Sequence, residues 1–263
     1  MIEQWFTQTK WQGIQFADLG VRLDAKVPAS PEFYSAFYQS LTKKYHAYED
    51  LPADWKHAKR ETALELGKLM PFDARVLSCG AGIGYVEHVL VRDCGMTNLV
   101  LWDWAADASC YAAEGHLEYV ETLDVQPNRD DQGRYDFIFL IQVLYGMSTS
   151  EAVTFLGDLR PLFKVGGELI LVNTSPSNAE NEGQGAQEHS RRGFRDSKVA
   201  RPLRAVMGWL RRVAVYGGQR APAQGWGWAR DNEAVSRILQ EAGYVDIAFH
   251  PAAHQSFVRA HLH

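Results

Sequence analysis

Four stretches near the middle of the chain are apolar without alternation: Ala74–Gly80 (ARVLSCG), Asn98–Trp104 (NLVLWDW), Tyr135–Val143 (YDFIFLIQV) and Gly166–Asn173 (GGELILVN). The first three run into stretches of helical spacing, YVEHVLV, AADASCYAAEG and SEAVTFLGDLRPLF. A strand needs apolar side chains on both faces only where helices cover both sides of a sheet, so this order predicts a doubly wound, mostly parallel α/β sheet. A shorter strand is expected in YVETLDVQP. Near the end, Asp231 is a suitable N-cap for the helical NEAVSRILQEAG, Gly243 its stop, and YVDIAFH and QSFVRAHL predict a closing hairpin-like pair. Seven strands are thus expected in one sheet.

The flanks read differently. Phe33, Tyr34, Phe37, Tyr38 and Tyr45 suit one helical face, and Trp55 to Met70 reads as a second helix ending before Pro71, so residues 1–73 are expected to form a helical cap on a core of 74–174 and 231–263. From Thr174 to Arg230 there is no strand periodicity: the stretch is first polar and rich in Gly, Asn and Gln, then basic. A structureless connection of that length in a compact domain is usually functional or disordered. Residues 175–230 are read as an inserted lid, with Val199, Leu203, Val206, Leu210 and Val213 as one apolar stripe of a helix that docks on the core.

Composition adds limits. With 263 residues, 46% apolar and 22% charged, the chain is of ordinary globular type. No run approaches the roughly 18 to 20 apolar residues of a spanning helix, and MIEQWFTQTKWQG lacks the basic-then-apolar order of a signal peptide, so a cytoplasmic location is expected. Cys79, Cys94 and Cys110 form neither a CxxC pair nor a cluster with histidine, and read as small thiols rather than a disulfide or zinc framework. The net charge of −5 hides a division: Ala186 to Arg230 holds ten basic and two acidic residues, a local +8, which leaves −13 for the rest. Such a segment is either a solvated face or a docking surface for an anion.

The chemistry begins at Val76–Glu87, VLSCGAGIGYVE. A buried strand that stops at Gly-x-Gly-x-Gly and enters a helix lets the backbone approach a ligand and turns helix N–H groups toward it. A dinucleotide fingerprint, G-x-G-x-x-G, would place its last glycine where Tyr85 stands. Asp103 ends the next strand, where a carboxylate can accept both ribose hydroxyls of a nucleoside. Asp124, with the N–H of Val125, stands where an adenine edge can be met, although a plain turn residue would look the same.

With VLSCGAGIG, LVLWDW, TLDVQ, YDFIFLIQVLYG and LRPLFKVGGELILVN in this order, about half of the chain resembles the class I S-adenosylmethionine-dependent methyltransferases. The resemblance implies S-adenosylmethionine as cofactor and S-adenosylhomocysteine as product. It assigns Gly80, Ala81 and Gly82 to the methionine moiety, Asp103 and Trp104 to the ribose and adenine face, Asp124 and Val125 to the adenine edge, and Ile141 and Gln142 to the wall below the sulfonium. Trp104 also suits a core position. One departure stands out: the family more often has an acidic residue where this chain has Ser78.

The acceptor is expected above the C-terminal edge of the sheet, between cap and insertion. Candidate contacts are Tyr34, Tyr38, Tyr145, Glu188, His189, Trp226 and Trp228. His189 is the first choice for a general base, because its ordinary pKa lies near neutrality, and Tyr145 is the second catalytic candidate; an exposed loop histidine is the bland alternative. Ile141-Gln142-Val143-Leu144-Tyr145 stands where base-methylating enzymes resemble (Asn/Asp/Ser)-Pro-Pro-(Tyr/Phe), and no aromatic-basic RNA module is present, so no nucleic-acid partner is expected. The arginines point to a small, anionic acceptor, with O-methylation favoured over N-methylation, while a basic amphipathic helix lying on an anionic membrane is the other reading of the same segment. The rival functions are a nicotinamide-dependent oxidoreductase and a non-catalytic S-adenosylmethionine-binding protein.

Overall fold

The computed structural model describes residues 3–105, 120–123, 126–127, 131–173, 222–252 and 255–262. Asp124, Val125, Glu188, His189 and the arginines from Arg191 to Arg220 lie outside the described residues, as does the apolar stripe from Val199 to Val213. Strand β1 (Glu3–Gln8) and the short pair β2 (Lys10–Trp11) and β3 (Ile14–Gln15) precede helices α1 (Pro31–Lys44) and α2 (Ala53–Leu69). Then follow β4 (Val76–Cys79), α3 (Tyr85–Cys94), β5 (Leu99–Trp102), β6 (Val120–Leu123), β7 (Tyr135–Ile141), α4 (Thr149–Leu159) and β8 (Phe163–Asn173). The chain closes with β9 (Gln224–Arg230), α5 (Asn232–Glu241), β10 (Tyr244–Ala252) and β11 (Gln255–Leu262).

Seven strands form one sheet in the order β10-β11-β8-β7-β4-β5-β6. The pairs from β6 through β8 are parallel, and β11 is antiparallel to both β8 and β10. The continuous apolar runs have the expected cause. In β4, Val76 belongs to a core under α1, α2 and α3, whereas Leu77 and Cys79 belong to a second core under α4 and α5. Local chemistry sets the helix limits: Ser30 Oγ accepts from Phe33 N at 3.3 Å ahead of Pro31, and Asp231 Oδ1 accepts from Ala234 N at 2.9 Å.

Four strands have no counterpart in the sequence-based expectation: the short pair β2 and β3, and the longer β1 and β9. β1 stands at the head of what reads as a helical cap, and β9 inside what reads as an insertion. They pair antiparallel, Glu3 opposite Arg230 and Trp5 opposite Trp228. Neither shows a clean alternation, because Gly225 and Gly227 interrupt the apolar residues of β9 and the partner lies more than two hundred positions away in the chain. The expected lid boundary at Arg230 therefore falls at the end of a strand bound to the N-terminus. Among the described residues no helix is long and apolar enough to cross a membrane.

Candidate functional site

The sheet reverses its winding at β4, which has β5 on one side and β7 on the other. Such a point opens a crevice at the C-terminal ends of the strands. The glycine loop turns there: the N–H groups of Gly80 and Ala81 donate to Trp102 O at 2.7 and 3.3 Å, tying the end of β4 to the end of β5. Gly80 has φ +77°, and a Cβ on it would stand 2.4 Å from Val143 Cγ2. No other residue fits. Asp103, directly after β5, accepts from Gly82 N through Oδ2 and from Ala105 N through Oδ1, both at 2.9 Å. Burial raises the pKa of this carboxyl above its ordinary value, against the pull of the N–H groups of Ala105, Gly82 and Trp104.

Above the loop lies a cavity of about 310 Å³, at the lower end of the roughly 300–1,000 Å³ usual for small-molecule sites. Much of its lining is aromatic, and the Tyr38 hydroxyl comes down beside Gly82 of the loop. Tyr34 and Tyr38 come from α1, Trp11 from β2, Trp226 from β9, and Trp104 and Tyr145 from the ends of the neighbouring strands. The hydroxyls of Tyr34 and Tyr145 are hydrogen-bonded at 2.7 Å, and the Tyr145 ring stacks on Trp226 with centroids 5.9 Å apart. Burial drives the Tyr34 phenol far above its ordinary range, partly opposed by the Tyr145 hydrogen bond, so this hydroxyl stays protonated.

Tyr145 sits on a tight turn, Leu144–Gly146, that β9 holds from behind. A Cβ at Gly227 would come within 1.8 Å of Tyr145 O, so only glycine lets the strand pass. Arg230, almost fully buried, donates to Leu144 O at 2.6 Å, to Met147 O at 2.7 Å and to Glu3 Oε1 at 2.9 Å. This corrects one use of the charge count: Arg230, numbered among ten basic residues facing an anion, is committed to Glu3 and two carbonyls inside the protein.

The cavity brings together Gly80, Ala81, Gly82, Asp103, Trp104, Ile141, Gln142, Tyr34, Tyr38, Tyr145 and Trp226. It does not include Trp228, which packs edge-on against Trp5 at 4.7 Å and under the Arg230 guanidinium at 5.5 Å. Equal parity within a strand would put Trp226 and Trp228 on one face. The register shift opposite Phe6/Thr7 leaves Trp226 outside the pairing, and a bulge of this kind breaks the alternation. Sequence reasoning missed Trp11, Lys59, Glu87 and Gln126, which also line the cavity. Lys59 Nζ donates to Gln142 Oε1 at 2.6 Å, and Gln142 has φ +54°, a left-handed conformation that side chains other than glycine's rarely take. Glu87 left a signal: it is the one acidic position in the apolar opening of α3, YVEHVLV.

No protein-family model and no curated protein matches the sequence. Solved structures do match the fold. Human N-acetylserotonin methyltransferase, solved with S-adenosylmethionine, superposes with a TM-score of 0.51 at 16% identity over 89% of this chain and 56% of its own, so the chain spans little more than half of that enzyme's length. A Leishmania major S-adenosylmethionine-dependent methyltransferase gives 0.52 at 14% identity, over 94% of this chain and 88% of its own. The protein DhpI, solved with S-adenosylhomocysteine, gives 0.57 at 14% identity, over 88% and 94%. With its seven-stranded sheet, antiparallel β11 and glycine loop at the winding reversal, the chain has the Rossmann-like fold of the class I S-adenosylmethionine-dependent methyltransferases.

Proposed function

We propose that the protein is an S-adenosylmethionine-dependent methyltransferase acting on a small, planar acceptor through a hydroxyl oxygen. The observation that carries this reading is a single cavity lined both by the glycine loop with Asp103 and by aromatic rings with a paired phenol. The residues present fit the cofactor. The Gly80–Gly82 backbone lines the cavity, with Val143 packed on Gly80 and the Tyr38 hydroxyl beside Gly82, and offers its polar groups to a methionine moiety. Asp103 keeps lone pairs beyond its two backbone contacts for ribose hydroxyls, and the Trp104 ring, partly exposed beside Tyr34, offers a face to adenine. Asp124 and Val125 are retained as proposed adenine contacts.

When bound, S-adenosylmethionine supplies an electrophilic methyl group on a sulfonium. The protein's own part is alignment, since an in-line displacement gains most from holding the nucleophile in place. Ile141 and Gln142 close the floor, with Gln142 held by Lys59. Tyr34 and Tyr145 hydrogen-bond an acceptor hydroxyl and orient it; the raised pKa of Tyr34 suits it to this and not to removing a proton. For that proton, His189 remains the proposed base. The negative charge proposed for the acceptor rests on the arginines between Arg191 and Arg220, since the described lining is mainly apolar and aromatic with Lys59 as its cation.

Calorimetric titration with S-adenosylhomocysteine and with NADH tests the cofactor, and the first alone is expected to bind. Transfer of label from S-adenosylmethionine to paired phenols and anilines, each with and without a carboxylate or phosphate, tests the acceptor. Binding without transfer to any fraction of a metabolite pool would leave a cofactor-binding protein and overturn the enzymatic reading; reaction of neutral acceptors alone would remove the anionic one.

A further inference from the structure

Glu87 lies on the first turn of α3, almost completely buried and among the residues lining the cavity. Its Oε1 accepts from Ser78 Oγ at 2.5 Å. Its Oε2 has no hydrogen-bond partner among the described residues. A buried carboxylate oxygen in that condition is costly unless a cation or a proton meets it, and burial pushes Glu87 up to about 7, against the pull of Ser78 and of Lys59, which favours the protonated form below that pH. The side chain thus stands against β4 with one oxygen that no described group meets. β4 carries no carboxylate of its own, and the Ser78 hydroxyl on it holds Glu87 in place.

We propose that Glu87 is a cofactor-binding residue, receiving the α-ammonium of the cofactor's amino-acid portion on Oε2, with Ser78 as the positioning residue that fixes its other oxygen. The inference rests on the S-adenosylmethionine reading above. The chemistry selects the ammonium: the nucleoside portion offers neutral hydroxyls and ring nitrogens, which Asp103 and the rings about Trp104 suit, whereas a buried carboxylate calls for a cationic donor. Lys59, which also lines the cavity, carries the opposite charge. An amino-acid zwitterion therefore meets a cation from α2 and an anion from α3, one on each of two adjoining helices.

The test compares two ligands on two proteins by titration calorimetry. S-adenosylhomocysteine carries the ammonium, and 5′-methylthioadenosine keeps the nucleoside and thioether without it. In Glu87→Gln the affinity for S-adenosylhomocysteine is expected to fall at least about tenfold, as loss of a charge-assisted contact implies, while that for 5′-methylthioadenosine stays within about twofold. Equal losses for both ligands, or none, overturn the proposal. If the variant does not fold, wild-type protein decides: the des-amino analogue of S-adenosylhomocysteine is expected to bind at least about tenfold more weakly than the parent, and equal affinity overturns the assignment. Wild-type protein that binds neither nucleoside ligand defeats the cofactor reading itself, an outcome distinct from a failure of Glu87.

Discussion

The two sets of residues that line the cavity are assembled in opposite ways. The centre of the proposed cofactor site is made from consecutive pieces of chain, with Lys59, Ile141 and Gln142 added from elsewhere: β4, its glycine loop, the start of α3 and the end of β5 all fall between Val76 and Asp103, and the parallel pairing Val76–Leu99 to Cys79–Trp102 sets their register. The acceptor side is collected from afar. Tyr34 meets Tyr145 across 111 positions, and Arg230 meets Glu3 across 227. The contrast teaches that a fold can keep one half of its site in a rigid, locally encoded frame while the other half depends on which distant strands close over it.

Breaking the local half should have the largest effect. Gly80→Val forces a side chain onto Val143 at a positive φ, and should abolish S-adenosylhomocysteine binding, with affinity down about a hundredfold or more by calorimetry. Breaking the assembled half should cost stability first. Arg230→Met leaves the carbonyls of Leu144 and Met147 without their donor and Glu3 without its partner, for about 3 kcal/mol in urea unfolding, tempered by the partial exposure of Glu3.

Titration sharpens the same comparison. The ordinary pKa of Glu87 is 4.5 and its folded value about 7, so between these limits the native state holds a proton that the unfolded chain has lost. Stability from this group is therefore full below about pH 4.5 and declines as pH rises to about 7, with a slope of up to about 1.4 kcal/mol per pH unit. The charged groups acting on it are Asp103 after β5, which raises its pKa, and Lys59 on α2, which lowers it; Ser78 on β4 adds a hydrogen bond. Urea midpoints measured from pH 5 to 8 should show this component in wild type and lose it in Glu87→Gln; an unchanged profile in the variant would assign the slope to other groups. The smallest effects separate neighbours on the acceptor side. Tyr145→Phe should lower turnover about tenfold at unchanged S-adenosylhomocysteine affinity, whereas Trp228→Phe should leave turnover within about twofold, because Trp228 faces Trp5 and not the cavity.

Legibility followed this division. The seven strands, the glycine loop and the position of Asp103 were visible because each depends on a short window: apolar continuity, a turn that only glycine permits, one carboxylate at a strand end. β1 and β9 were not, since a two-stranded ribbon interrupted by Gly225 and Gly227 has no period to detect. Trp226 and Trp228 looked equivalent two positions apart, and a bulge separated them. Ser78 was recognisable as the missing acid of its strand, but nothing local told that Glu87, nine positions on, would fold back against it.

By itself the sequence determined the doubly wound core and the ligand-facing end of β4, because burial on both faces and backbone stereochemistry are imposed residue by residue. The tertiary structure alone decided that Arg230 is a buried clamp and not an anion-binding residue, that Tyr34 and Tyr145 form one pair, and that Glu87 keeps an oxygen without a partner among the described residues. Each of these depends on the dielectric and the neighbours around a side chain, which exist only once distant segments have packed together.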